Sequence, residues 1–370
     1  MRSPRGPAVV LGLVFVLAAG RHPAARAGTD EPKLYNRSLS DWIKMLQTDP
    51  KAERRQGAVM AIEVMGAKSR ETVLALGKAV RTDADDEVRR SAAQLLGNLG
   101  ADARDGLDDL AAAVKGEKSP VVREACVTAL GKVGSAAKPG VVVPVLAGAL
   151  ADQDVKTRAS AAEFLGRLGA ESEPAVPQLT ATFKDKDPLV RGYAAFAVGR
   201  VGPNARAAVP ELARLLSDDT AAEVRKEAVQ ALGQMGGDAR GAVPALRKAL
   251  ADKRPEIRQR TAYVLGKLGR DAQAAFPELK SALKDADKNV RSQAAHALPS
   301  VGANVEEVVA GLVGLLQDES VEVRLSGIDE IAQLGAAAKS ALPALMDATR
   351  DPRTAVREAA QDAVKRIQAP

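Results

Sequence analysis

Arginine and aspartate recur along this chain at positions that invite a chemical reading. A Val-Arg step or a close variant places its arginine at 55, 89, 123, 158, 191, 225, 258, 291, 324 and 357. Aspartates stand at 152, 185, 218, 252, 285 and 351. A carboxylate beside a guanidinium can hold a substrate anion or tune an acid for proton transfer. A unique active site is built once, however, and these two residue types return in nearly every unit of the chain. The spacing instead predicts an Asp-Arg ladder that ties adjacent turns together, formed by Asp152, Arg158, Asp185, Arg191, Asp252, Arg258, Asp285, Arg291, Asp318, Arg324, Asp351 and Arg357.

Other reactive side chains are scarce. Cys126 is the single cysteine, which excludes an intramolecular disulfide and any thiolate zinc cluster. It shares a column with Ala92, Ala161, Ala194 and Ala228, so it reads as a small buried residue rather than a nucleophile. The two histidines, His22 and His296, leave almost nothing from which to build a histidine metal site. No phosphate-binding glycine loop, Gly-x-Ser-x-Gly elbow or Cys-x-x-Cys occurs. The expectation is a non-enzyme with no catalytic residues, no metal and no cofactor.

The elements that position these residues follow from the repeat. Successive arginines are 33 to 35 residues apart. Most are followed by an aliphatic-Gly pair (Leu96-Gly97, Leu130-Gly131, Leu165-Gly166, Val198-Gly199, Leu232-Gly233, Leu265-Gly266) and by a second glycine three residues later. Earlier in each unit comes an aliphatic-Pro-x-Leu step, with proline at 144, 177, 210, 244, 277 and 343. Each unit therefore predicts two helices. The first carries proline in its first turn, and the aspartate follows, placed to accept N–H groups at the start of the second. The second has its apolar positions at helical spacing, for example Ile257, Thr261, Val264, Leu265 and Leu268. The paired glycines are expected to let the chain leave that helix and turn back. One hairpin cannot bury its own apolar face, whereas stacked hairpins can.

With Pro, Asp and Arg at these offsets and Leu-Gly-x-Leu-Gly closing the unit, residues 38–368 resemble HEAT repeats, and more closely the short bacterial type related to phycobilin-lyase repeats. The resemblance implies an all-α, right-handed α-solenoid of about ten HEAT-like helical hairpins. It also implies that the second helices line the concave side, so that positions +2, +5 and +9 from each arginine face a groove. Partner-binding candidates there are Arg167, Tyr193, Phe196, Arg200, Gln230, Tyr263, Lys267 and His296. Aromatic anchors with arginine among them match the composition of protein-recognition surfaces. Tyr193, Phe196 and Tyr263 would be anchors, Arg167, Arg200 and Lys267 would meet acidic groups, and Gln230 and His296 would be polar readers. Two bland alternatives stay open. Cations at +9 lie in the last helical turn, where they complement the helix dipole, and the aromatics could fill gaps left by alanine-rich neighbours. Iron-dependent hydroxylases of HEAT fold need several His-Glu pairs, whereas His296 is followed by Ala297. A lyase-like activity is a remoter alternative.

The first 27 residues read as a signal peptide. Arg2 and Arg5 precede an apolar run from Ala8 to Ala19, and Ala25-Arg26-Ala27 supplies a small-x-small cleavage pattern. That run is too short to span a bilayer, which takes roughly 20 residues. The expected organisation is a signal peptide over 1–27, a linker over 28–37 and the solenoid over 38–370, with a periplasmic or extracellular address. Removing four arginines and no acid lowers the formal net charge from +6 to +2, which argues against nucleic acid as a partner. The expected role is a scaffold that binds a protein or peptide, with a structural envelope protein as the alternative. Pro299 in place of a glycine, with Val309-Ala310 in place of the next Val-Pro step, predicts an irregular junction over 299–311.

Overall fold

The computed structural model describes residues 33–134, 139–302 and 304–369. The segment read as a signal peptide lies outside them, as do residues 28–32 of the expected linker. Residues 33–38 form a hairpin of two short strands, Lys33–Leu34 and Arg37–Ser38. Tyr35 and Asn36 turn it with φ of 50° and 60°, the left-handed pair that matches the twist of a tight hairpin. Trp42 is buried beneath it and donates its Nε1–H to the Leu34 carbonyl at 3.3 Å. Ser38 and Asp41 close a capping box on the first helix, Leu39–Thr48. The single tryptophan thus seals one end of the stack.

Everything beyond this hairpin among the described residues is helical and repetitive. Unit seven shows the plan. A 3-10 turn over Gly236–Ala242 leads into a first helix, Val243–Ala249, with Pro244 in its first turn. The second helix, Pro255–Leu268, carries the arginine, Arg258. Residues seven after the arginines, such as Ile62, Leu96, Leu130, Leu165, Leu232 and Leu265, are fully buried in one core that runs through all the units. Each such side chain contributes about 2 kcal/mol by leaving water.

The two glycines that close a unit have separate tasks, contrary to the expectation that both serve the turn. The second, at 66, 100, 169, 202, 236, 269 and 335, has φ between 54° and 74°. L side chains rarely adopt that conformation. The first lies inside the helix and is a point of contact. A Cβ on Gly199 would lie 2.8 Å from the Ala231 Cα of the next second helix, and one on Gly266 would lie 3.0 Å from the Ala297 Cα. Neighbouring second helices therefore approach backbone to backbone.

The ladder runs between units. The guanidiniums of Arg55, Arg123, Arg158, Arg191, Arg225 and Arg258 grip Asp83, Asp152, Asp185, Asp219, Asp252 and Asp285 of the following unit, donating from Nε and Nη2 at 2.6–3.1 Å. Arg89 does the same to Glu117. The remaining Nη1 reaches back to the carbonyl of its own unit's acid, as from Arg258 to Asp252 at 2.8 Å. One side chain thus pins two turns. The acid does not cap the second helix directly, as the spacing implied. Asp152 accepts the N–H of Asp154, and Asp154 is the cap, accepting from Thr157. In unit six the ladder acid is Asp219, not Asp218. The first helix there extends to Asp218, which lies on the surface near Lys248.

The junction after unit eight departs from the plan. The second helix, Lys288–Val301, runs through Pro299, and Gly302 has φ of −24° rather than a left-handed value. Among the described residues no 3-10 turn follows, and Asn304 caps the next helix, Val305–Val313, by accepting from Glu306 N–H.

Candidate functional site: the outward face of the second helices

Once the core and the ladder are assigned, the polar side chains left on the second helices between units four and nine make up the candidate surface. Tyr263, on the second helix of unit seven, lies at its centre, 37% exposed. Its ring lies between Arg260, whose guanidinium is 5.9 Å from the centroid, and Lys267, whose ammonium is 5.2 Å away. These residues stand three before and four after the tyrosine, so one helix face presents all three. A shallow depression of about 330 Å³ opens beside the ring, lined by Lys226, Gln230, Glu256, Gln259, Arg260, Tyr263 and Gln293 from three successive second helices.

The other expected residues fare differently. Phe196, expected as an anchor, lies across the preceding helix. A Cβ on Gly166 would meet its Cε1 at 2.5 Å, so the ring fills the space that glycine leaves. Tyr193 is half-buried and packs against the core. Arg167 is committed within its own helix, to Glu163 at 2.6 Å and over the Phe164 ring at 5.1 Å. Arg200 is exposed, and no carboxylate among the described residues holds it. Gln230 lines the depression. His296 is joined through Nδ1 to Oε1 of Glu330 at 2.6 Å, on the next second helix. That bond holds the imidazolium above its ordinary pKa, with burial opposing it. Of the three aromatics, only Tyr263 keeps the exposure an anchor needs.

Glu330 is the residue that sequence reasoning passed over. It is buried, yet it occupies the column six after the arginine, where other units carry Ala61, Leu95, Ala129, Phe164, Ala197, Ala231, Val264, Ala297 and Ala363. A lone acid in an apolar column was the available signal. Lys226, Glu256 and Gln259 were missed because they flank the chosen columns. Glu227, in the +2 column, is half-buried without a hydrogen bond, and burial pushes its carboxyl up. Burial also pushes the Cys126 thiol up to about 12, which leaves it protonated and unreactive. Among the described residues, no cluster of His, Cys, Asp and Glu is arranged to hold a metal, and no helix is long and apolar enough to cross a membrane.

The sequence profile of HEAT repeats matches seven overlapping windows, 39–131, 73–162, 107–186, 176–266, 222–299, 243–326 and 276–365. The chain belongs to the HEAT-repeat family. Several solved structures resemble it along most of its length. An engineered protein is 22% identical, covering 90% of this chain and 99% of its own, with a TM-score of 0.60. Importin beta is 17% identical over 89% of this chain, with a TM-score of 0.60, and this chain spans half of it. The karyopherin Kap121p, solved bound to the SUMO protease Ulp1p, is 16% identical over 89% of this chain and 41% of its own, with a TM-score of 0.52. Likeness at these identities establishes the solenoid fold alone. A search of the curated proteins found no match.

Proposed function

We propose that this HEAT-repeat protein is an exported, non-catalytic scaffold that binds a protein or peptide on the face formed by its second helices. The observation that carries the reading is the group around Tyr263. Ladder arginines are consumed by internal carboxylates, whereas Arg260 and Lys267 meet only an aromatic ring and remain open to an incoming acidic group. Glycine-mediated contact brings the second helices close together, and closer spacing on one side of a stack bends it toward that side. The Tyr263 face would then be the inner one. Solenoids of this fold carry protein partners, as the karyopherin bound to a SUMO protease does. Export rests on the N-terminal segment, and N-terminal sequencing of the mature protein should read from Gly28.

The deciding experiment is a pull-down from envelope and culture fractions with the full chain and its Tyr263→Ala variant as baits. A protein retained by the first and lost by the second, with unchanged helical circular dichroism, is the expected result. Identical retention by both baits would place binding on another surface. A structural envelope role is the second reading, favoured by the pairing of Arg167 and His296 within the chain. It predicts that neither bait retains anything.

A further inference from the structure

The same face changes character along the stack, and the change defines the partner more narrowly. In units five to seven its open charges are cationic. Arg200 has no carboxylate partner among the described residues, and Arg260 and Lys267 flank the exposed Tyr263 ring. Glu227 is the nearby counter-charge, half-buried, and that burial pushes its carboxyl up. The other charges are matched within the chain, Lys226 by Glu223 and Arg254 by Glu256. Gln230, Gln259 and Gln293 line the depression beside the ring, and their carboxamides have no hydrogen bond to other described residues. A carboxamide both donates and accepts, as a peptide backbone does.

Two units further on the sign reverses. Asp329 occupies the position equivalent to Tyr263 in unit nine, exposed and in no Lys or Arg ion pair among the described residues, with His296 nearby. Asp362 follows it in unit ten, shared with Lys365. Between the two regions His296 is joined to Glu330 through Nδ1 and Oε1 at 2.6 Å. The surface therefore runs from an aromatic-cationic centre, past a row of amides and the His296–Glu330 pair, to the exposed carboxylate of Asp329.

We infer that the partner is an extended peptide segment of split charge, with a carboxylate seated beside Tyr263 and a cationic side chain facing Asp329. This rests on the scaffold reading above and adds the chemistry and spacing of the occupant. Adjacent helices pack about 8–10 Å apart, so two units span roughly 16–20 Å. An extended peptide advances about 3.3 Å per residue, which sets the two charges about five or six residues apart. The amides would hold the intervening main chain. The acidic group displaces no internal ion pair, because Arg260 and Lys267 are held only by the ring.

Fluorescence anisotropy with labelled synthetic peptides and the full chain tests this. The probes are a Glu-Glu block and a Lys-Lys block joined by five Ser/Ala residues, the same blocks joined by two, and a peptide with Glu-Glu at both ends of the five-residue spacer. The split-charge peptide with the long spacer should bind about five-fold more tightly than either of the others, a difference in keeping with one exposed charge contact. In Asp329→Lys the order of the two long-spacer peptides should invert, with the doubly acidic one preferred. Asp329 is exposed and outside the ladder, so the fold survives this change. Equal binding of the two long-spacer peptides by the native chain overturns the inference, as does an unchanged order in the variant. If no peptide binds while the pull-down still shows retention that depends on Tyr263, the extended-peptide inference fails and the scaffold reading stands. If both fail, the groove reading falls with it.

Discussion

The contact between the second helices of units five and six and the contact between those of units eight and nine solve one packing problem by different chemistry. In the first, Gly199 lies against Ala231 so closely that an added Cβ would be 2.9 Å from the alanine Cβ. The glycine faces the Ala231 backbone and methyl, with the Gln234 carboxamide oxygen beside them, and in the ladder pair Arg191 donates to Asp219 through both Nε and Nη2. In the second, Ser292 and Ser326 share a hydroxyl contact of 2.7 Å, and His296 meets the buried Glu330. Pro299 stands where the glycine would be. The ladder loosens there as well. Arg291 donates to Asp318 from Nη2 at 2.8 Å, but its Nε, 2.7 Å from the same carboxylate, makes no hydrogen bond. A seam built from small apolar residues depends on volume. A seam built from polar side chains depends on direction and protonation.

That contrast can be broken most forcefully with volume. Gly199→Val should destabilise units five and six by about 3 kcal/mol, at the upper end for overpacking, because the Gln234 side chain can move aside but the Ala231 backbone and Cβ cannot. Pro299→Gly, at the equivalent place inside the unit-eight helix, should not destabilise and should gain up to about 2 kcal/mol. Urea unfolding, with amide exchange to localise the loss, would show the asymmetry. Equal losses at the two sites would sink the view that only the regular seam is limited by volume.

Next in size is the ladder. Arg225→Ala leaves Asp252 partly buried without its guanidinium and should cost about 2–3 kcal/mol, below the range for a fully buried pair. Burial opposes ionisation of Asp252, but hydrogen bonds from Arg225 and the Arg254 N–H, with the charges of Arg225 and Arg258, hold its carboxyl below the usual range. The same direction holds for Asp152, Asp185, Asp219 and Asp285. A depressed carboxylate pKa stabilises the fold above the unfolded value of about 3.9, and that stability is lost as the pH falls through the folded value. Native protein should therefore soften cooperatively in acid below about pH 4, while the variant should show a shallower acid limb in pH-dependent melting.

Smaller effects come from the polar seam. Glu330→Ala restores the residue that most units carry in this column, removes a buried carboxylate, and should be neutral or stabilising by up to about 1 kcal/mol at pH 8. A loss of 2 kcal/mol or more would show that the carboxylate holds the junction. The pH dependence of the His296–Glu330 pair is the smallest effect. Its histidine pKa is raised, so the stability it adds is fully present below about 6.5 and disappears as the pH rises through the higher folded value. The ring is about half exposed, so solvent screening limits this to under about 1 kcal/mol. Asp329 adds to the shift and Glu330 dominates it. Melting temperature measured from pH 6 to 8 should fall slightly in the native protein and stay flat in His296→Gln.

Much of the fold was legible in the sequence because a repeat states each requirement many times. Proline in the first turn, leucine at +7 and paired glycines are local demands of helix starts, core burial and helix ends, and they recur at every unit. The ladder was legible as a column of residue types, although its partners belong to the following unit and unit six uses Asp219. The candidate site was legible only as columns of a helix face. Periodicity placed Tyr193, Phe196 and Tyr263 on that face, but could not say that Phe196 would lie down over Gly166 while Tyr263 remained exposed. Whether a side chain at +5 stands free depends on the residue at +8 of the preceding unit, and contacts between units are not written in either helix alone.

The sequence by itself determined the two-helix unit, its stacking and the recurring acid and arginine, because these follow from hydrophobic periodicity and from φ values that glycine and proline impose. Tertiary structure decided which glycine turns the chain and which admits a neighbouring helix, which carboxylate each arginine grips, and that Glu330 is buried against His296. These are distances between residues about 27 to 36 positions apart, and only the stacking of one unit on the next sets them.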